Sequence, residues 1–177
     1  MLVITQRIRV DWGHCDPAGI IFNPNYFVWM DASCHNLYKA AGVPFVELIA
    51  TSSFIGCPLI KNETEFSKPV FYDDVITLSS KVIDFGNTSF RLHHRFTHSD
   101  EELAIGREIR VWAYSDQENS GKIRAEPIPD EIRHAVSHSS RGRSGSSGAH
   151  RRGGPRPRAR ILSSRCVVRK FLGPSMV

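Results

Sequence analysis

The chain has 177 residues, 41% of them hydrophobic and 23% charged, enough for one domain with a sizeable core. It contains no run of 18 apolar residues, and its first residues, Met1-Leu2-Val3-Ile4-Thr5-Gln6-Arg7, lack a charged start followed by a long apolar stretch. Neither a membrane span nor a signal peptide is expected. The formal net charge of +5 is unevenly divided: residues 1–136 carry 13 Lys and Arg against 18 Asp and Glu, while residues 137–177 carry 10 Lys and Arg and no acid.

Residues 4–12 alternate, with Ile4, Ile8, Val10 and Trp12 on one face and Thr5, Arg7, Arg9 and Asp11 on the other, the pattern of a half-buried strand. A turn with Asp16, Pro17 and Gly19 follows. Asn23 suits an N-cap and Pro24 the first helical position, where a missing N–H costs nothing. Phe27, Met30, Cys34, Leu37, Tyr38 and Ala41 then recur at helical spacing, and Gly42 is a natural stop. Val28, Trp29 and Ala32 extend the apolar character around this helix, so other elements are expected to wrap it.

A short helix is expected over Pro44 to Ala50, then strands over residues 57–67 and Val75 to Asp84. In the next strand Phe90, Leu92, His94 and Phe96 oppose Ser89, Arg91, His93 and Arg95. In the last, Leu103, Ile105, Ile109, Val111 and Ala113 oppose Glu108, Arg110 and Trp112. One buried helix followed by antiparallel strands is an α+β pattern.

The division predicted is a domain over residues 1–136 and a tail over 137–177. The tail, with Ser-Ser-Arg-Gly-Arg-Ser-Gly-Ser-Ser-Gly and Arg-Arg-Gly-Gly-Pro-Arg-Pro-Arg, has too few apolar residues to offset the entropy of ordering. Its Arg, Gly, Pro, Ser and Ala are what GC-rich DNA yields when read out of frame. The competing reading is a basic arm for nucleic acid or acidic lipid, confined to the tail. Cys15, Cys34, Cys57 and Cys166 form no Cys-x-x-Cys pair, so neither a zinc site nor a disulfide framework is expected, and a reducing cytoplasm fits.

The chemistry concentrates ahead of the long helix. Asp16 sits in a turn a few residues before a helix start, where unpaired N–H groups and the positive dipole end hold negative charge. A carboxylate can act there as a nucleophile or as a general base on water. Pro24 has no N–H, so the donors for an oxyanion are the amides of Asn23, Asn25 and Tyr26. Asp16 has a plainer alternative, a turn carboxylate that caps a neighbouring N–H. His35, His93, His94 and His98 lack companions at metal-ligand spacing, and no Gly-x-Ser-x-Gly elbow or phosphate-binding glycine loop is present.

The block His14-Cys15-Asp16-Pro17-Ala18-Gly19-Ile20-Ile21-Phe22-Asn23, followed by Pro24-Asn25-Tyr26 and Asp31, resembles the signature of the 4-hydroxybenzoyl-CoA thioesterase family. The resemblance spans roughly residues 3–133. It implies a hotdog fold, a curved antiparallel sheet wrapped around a long central helix, and hydrolysis of an acyl-CoA thioester without a cofactor. It also implies Asp16 as the catalytic carboxylate, the Asn23 amide as oxyanion donor, and a homodimer or homotetramer with the site between subunits. Tyr26, Asp31 and Phe22 are the substrate-binding candidates, with Asp31 equally open to a solvated or capping role. Phe22, Tyr26, Phe27, Trp29 and Phe54 are the aromatics available to line a pocket for a compact acyl group. Relatives place Lys or Arg where this chain has Gly86, Asn87 and Thr88, so Lys61, Lys68, Arg91 and Arg95 are the remaining candidates for coenzyme A phosphates. Arg110 lies in Glu-Ile-Arg-Val, a stretch that resembles the family's penultimate strand, and is equally open to the role of an exposed strand charge. The alternatives are a non-catalytic acyl-CoA-binding domain and a hotdog dehydratase or hydratase.

Overall fold

The computed structural model describes residues 1–43, 45–116 and 121–138, all within the first of the two units into which the chain divides, Met1–Arg141. The expectations for the basic tail beyond His138 lie outside the described residues. Five strands, β1 (Val3–Arg9), β3 (Leu59–Phe66), β4 (Val75–Phe85), β5 (Ser89–His98) and β6 (Glu101–Val111), form one antiparallel sheet in the order β1-β4-β5-β6-β3. A smaller sheet joins β2 (Phe54–Gly56), β7 (Ala113–Ser115) and β8 (Ile123–Ala125) in the order β2-β7-β8. The long helix α1 (Pro24–Ala40) packs on the large sheet, the short helix α2 (Phe45–Thr51) follows it, and helix α3 (Asp130–Ser137) is the last of the described elements. This is the α+β hotdog arrangement. No helix among the described residues is long and apolar enough to cross a membrane.

The strands with clean alternation fold as that alternation dictates. Ile76, Leu78 and Val82 of β4 and Phe90, Leu92, His94 and Phe96 of β5 are all buried. In α1 the buried stripe is Tyr26, Met30, Ser33, Cys34, Leu37 and Tyr38, with Phe27 on the exposed side. Gly42 ends the helix at φ 79°, a conformation glycine adopts without steric cost. The strand expected over 57–67 forms as β3; the short β2 ahead of it and α3 near the end were not announced by the pattern, and α3 buries Val136, whose carbonyl accepts the Leu2 N–H.

Trp12 and the strand β6 depart from the expected faces. Trp12 is 74% exposed, because β1 stops at Arg9 and Trp12–His14 form a 3₁₀ turn; Trp12 then rests edge-on against Tyr72. In β6 the inward residues are Ala104, Gly106, Glu108 and Arg110, continued by Trp112, while Ile105, Ile109 and Val111 are half-buried on the other face. The phase is set at Gly106, where any Cβ would collide with the Met30 sulfur of α1. Glu108 and Arg110 then have to enter the core, and they do so by pairing.

Candidate active site

Backbone bonds hold the Asp16 loop against the start of α1. The Cys15–Ile21 bridge closes it into a small hairpin, Asp16 N–H donates to the Ile20 carbonyl and Gly19 N–H to the Asp16 carbonyl, both at 2.9 Å. His14 O accepts the Phe22 N–H and the Asn25 side-chain amide, each at 2.9 Å, which ties loop and first helical turn together. The half-buried Asp16 uses Oδ1 to accept the Ala18 N–H at 2.8 Å, an Asx turn, so the plainer capping role is present. Its Oδ2 makes no hydrogen bond among the described residues.

Of the three amides singled out in the sequence, two are occupied. Asn25 N–H donates to Phe22 O at 2.9 Å and Tyr26 N–H to Asn23 O at 3.1 Å, while nothing among the described residues accepts the Asn23 N–H. Asn23 occupies the expected N-cap position with Pro24 after it, but its backbone is already helical, at φ −47° and ψ −40°, and its side chain makes no capping bond. The unpaired amide belongs to the residue immediately before Pro24, at the positive end of the helix dipole.

A cavity of about 250 Å³ opens at this point, lined by Ile20, Asn23, Tyr26, Phe66, Lys68 and Val70 among others. Tyr26 is 3% exposed, packs edge-on against Phe66 and Phe96, and burial pushes its phenol up to about 12. Phe22 does not line the cavity and is 53% exposed. Phe27 and Trp29 are also absent from its walls, and Phe54 lies in the other half of the core, against Trp112. Only Tyr26 of the five expected aromatics reaches it, joined by Phe66 from β3. His14 accepts the Asp11 N–H on Nδ1 and meets Trp29 edge-on, a structural role.

Asp31 stands elsewhere, as one end of a polar layer that sequence reasoning missed. Its Oδ1 lies 2.8 Å from Arg110, whose Nε donates to Glu108 Oε2 at 2.8 Å. Glu108 Oε1 accepts from Asn62 at 3.1 Å, and Oε2 is 3.4 Å from His94 Nε2. His94 Nδ1 lies 2.7 Å from Ser80 Oγ, which accepts the Ser33 hydroxyl at 2.7 Å. Ser33, Ser80, His94, Glu108 and Arg110 are all buried, so Arg110 is no exposed strand charge. Burial alone would push the Glu108 carboxyl up, but the contacts from His94 and Arg110 outweigh it and hold it below its ordinary value. Burial would lower Arg110; its bond to Glu108 and the nearby Cys34 and Asp31 raise it instead. A histidine in the apolar row Phe90, Leu92, His94, Phe96 was the one sequence signal of this layer.

A helix-on-sheet hotdog domain, with a carboxylate loop strapped to the helix start and an open amide beside a cavity, has the parts of an acyl-transfer site. Residues 10–136 match the family model described as the thioesterase-like superfamily, and the chain belongs to that superfamily. The 4-hydroxybenzoyl-CoA thioesterase of Pseudomonas sp. strain CBS-3 is 32% identical to it over 132 residues, 71% of this chain and 92% of that protein. A crystal structure of a 4-hydroxybenzoyl-CoA thioesterase variant complexed with 4-hydroxybenzoyl-CoA is similar at TM-score 0.71 and 27% identity, covering 76% of this chain and 98% of that one. A gentisyl-coenzyme A thioesterase is similar at TM-score 0.65 and 32% identity, covering 76% and 100%. At the level of the family, the activity is acyl-CoA thioester hydrolysis.

Proposed function

We propose that this enzyme hydrolyses the CoA thioester of a compact, aromatic acyl group, with Asp16 as the catalytic carboxylate and the Asn23 amide as the oxyanion donor. The observation that carries the reading is the Asn23 N–H, without an acceptor among the described residues, on a residue that lines a cavity with Tyr26 and Phe66. In the general-base course Asp16 takes a proton from water as its oxygen attacks the thioester carbonyl. The tetrahedral oxyanion is held by Asn23 N–H, and its collapse expels the CoA thiolate, which is then protonated. In the nucleophilic course Asp16 attacks directly, expels the same thiolate and forms a mixed anhydride that water opens. Asp16 is not itself on the cavity walls, but its loop is tied to the first turn of α1 through His14 O, and its Oδ2, without a hydrogen bond among the described residues, is the atom available for either course. A cavity of about 150 Å³ holds a benzene ring, so about 250 Å³ suits a single substituted ring better than a long acyl chain. The hydratase alternative calls for a histidine with an acidic partner, and none is among the described residues that line the cavity.

The exposed edge strand β3, with Leu59, Ile60 and Phe66 exposed, and the exposed Phe27 and Val28 of α1 support pairing with a second copy. Thiol release from a panel of CoA esters tests the reading. We expect kcat/KM to be highest for benzoyl- or phenylacetyl-type esters and lowest for palmitoyl-CoA. Asp16→Asn should lose about 10²–10⁴-fold in kcat with an unchanged circular dichroism spectrum. A preference for the long chain would overturn the compact-pocket reading, and near-normal turnover by the folded variant would overturn the role of Asp16.

A further inference from the structure

The four cations that the sequence leaves open as anion-binding candidates have different surroundings. Arg91 lies 3.9 Å from Asp84, Arg95 Nε donates to Glu102 at 3.0 Å, and Lys61 pairs with Glu63 at 2.6 Å. None of these three lines the cavity. Lys68 does, and it is the one charged residue among the described residues of the lining, which it shares with Asn23 and Tyr26.

The backbone of Lys68 is fixed while its ammonium is not. Ser67 and Lys68 both donate their N–H to the Leu103 carbonyl, at 2.8 and 3.3 Å, and Pro69 follows. The ammonium itself is held by an ion pair with Glu101, at the start of β6, and both side chains are half-exposed, at 50% and 56%. Exposed pairs of this kind contribute little net stability, so an incoming anion can displace the Glu101 carboxylate.

We propose that Lys68 is the anion-recognition residue of this site and that Glu101 is its internal competitor. On binding, the ammonium exchanges the Glu101 carboxylate for an anionic group of the substrate, either a phosphate of coenzyme A or a carboxylate on the acyl group. The exchange rests on the thioesterase reading above. It makes two charge changes act in opposite directions. Loss of Lys68 weakens substrate binding, and loss of the Glu101 charge strengthens it.

The test is steady-state hydrolysis of an acyl-CoA and of the matching N-acetylcysteamine thioester, which has the same acyl group and no phosphate. Wild type is compared with Lys68→Ala, Lys68→Arg and Glu101→Gln. Lys68→Ala should raise KM for the CoA ester about tenfold with kcat nearly unchanged, Lys68→Arg should restore most of it, and Glu101→Gln should lower KM about two- to fivefold. An effect seen with the CoA ester alone assigns the anion to the phosphates. An effect that persists with the N-acetylcysteamine ester of a carboxylated acyl group assigns it to that carboxylate. A KM within twofold of wild type for both Lys68→Ala and Glu101→Gln, on every ester the wild type turns over, overturns the proposal. If wild type hydrolyses none of the esters, the functional reading fails separately. Titration calorimetry with coenzyme A and with the carboxylated N-acetylcysteamine ester then decides the role of Lys68, which is overturned if Lys68→Ala binds both as wild type does.

Discussion

Replacing Arg110 with methionine keeps most of the side-chain volume and removes a cation from the core. That guanidinium contacts Glu108 Oε2 at 2.8 Å, Asp31 Oδ1 at 2.8 Å and the Cys57 carbonyl at 3.3 Å. Asp31 is 55% exposed and regains water on the loss. Glu108 is 1% exposed and keeps only Asn62 and His94. Breaking a buried pair from one side costs about 3–5 kcal/mol. At roughly 2–4 °C per kcal/mol for a chain of this size, Tm should fall by roughly 6–20 °C. Glu108→Gln should cost less, about 1–3 kcal/mol, because Arg110 retains Asp31. The double variant Glu108→Met with Arg110→Met should recover most of the loss, since no unpaired charge remains. The acid dependence follows from the same group. Glu108 has a folded pKa held below its ordinary value of 4.5, so its contribution is present above that value and lost as pH falls through the lower one. Wild type should lose stability below about pH 4.5, and Glu108→Gln should lack that part of the loss. Urea and thermal unfolding from pH 7 to pH 3 provide the measurements. Arg110→Met within 1 kcal/mol of wild type, or a double variant no better than Arg110→Met, would refute the reasoning.

Two further outcomes are expected. Asn23→Pro removes the single N–H assigned to the oxyanion, and the φ of −47° lies near the value proline requires. Its kcat should fall by about 10²–10³ with KM little changed, and a folded variant with normal kcat would place the oxyanion elsewhere. In solution the protein should be at least a homodimer by light scattering, because an open β3 edge and the exposed Phe27 and Val28 need cover. A monomer at working concentration would count against a site shared between subunits.

The parts of the molecule legible in the sequence are those whose signal is local. Phe90, Leu92, His94 and Phe96 alternate in sequence and are buried together. Asp16-Pro17-Ala18-Gly19 and Asn23-Pro24 announce a turn and a helix start, and both form. β6 was misread because its outward Ile105, Ile109 and Val111 look more like core than Glu108 and Arg110. Only contacts distant in the chain reverse that preference: Met30 above Gly106, Asp31 on Arg110, His94 and Asn62 on Glu108. Tyr26 and Phe27 were hard to separate because α1 is apolar on adjacent faces, and only the neighbouring Phe66 and Phe96 choose between them.

The polar layer lies between two apolar clusters. One gathers around Cys34, Leu37, Tyr38, Phe90 and Trp112, the other around Tyr26, Met30, Ile76, Phe96 and Ala104. Apolar packing has little directionality, so apart from the fit of Met30 over Gly106 the two clusters do little to fix α1 along the sheet. A slip of one helical turn, about 5.4 Å, would take Ser33 from Ser80 and Asp31 from the buried Arg110, and each buried polar group left unpaired costs about 1–3 kcal/mol. Asn23 and the strapped Asp16 loop sit at the end of that same helix. The register that places the open amide at the cavity is therefore enforced from the middle of α1, well away from the cavity itself.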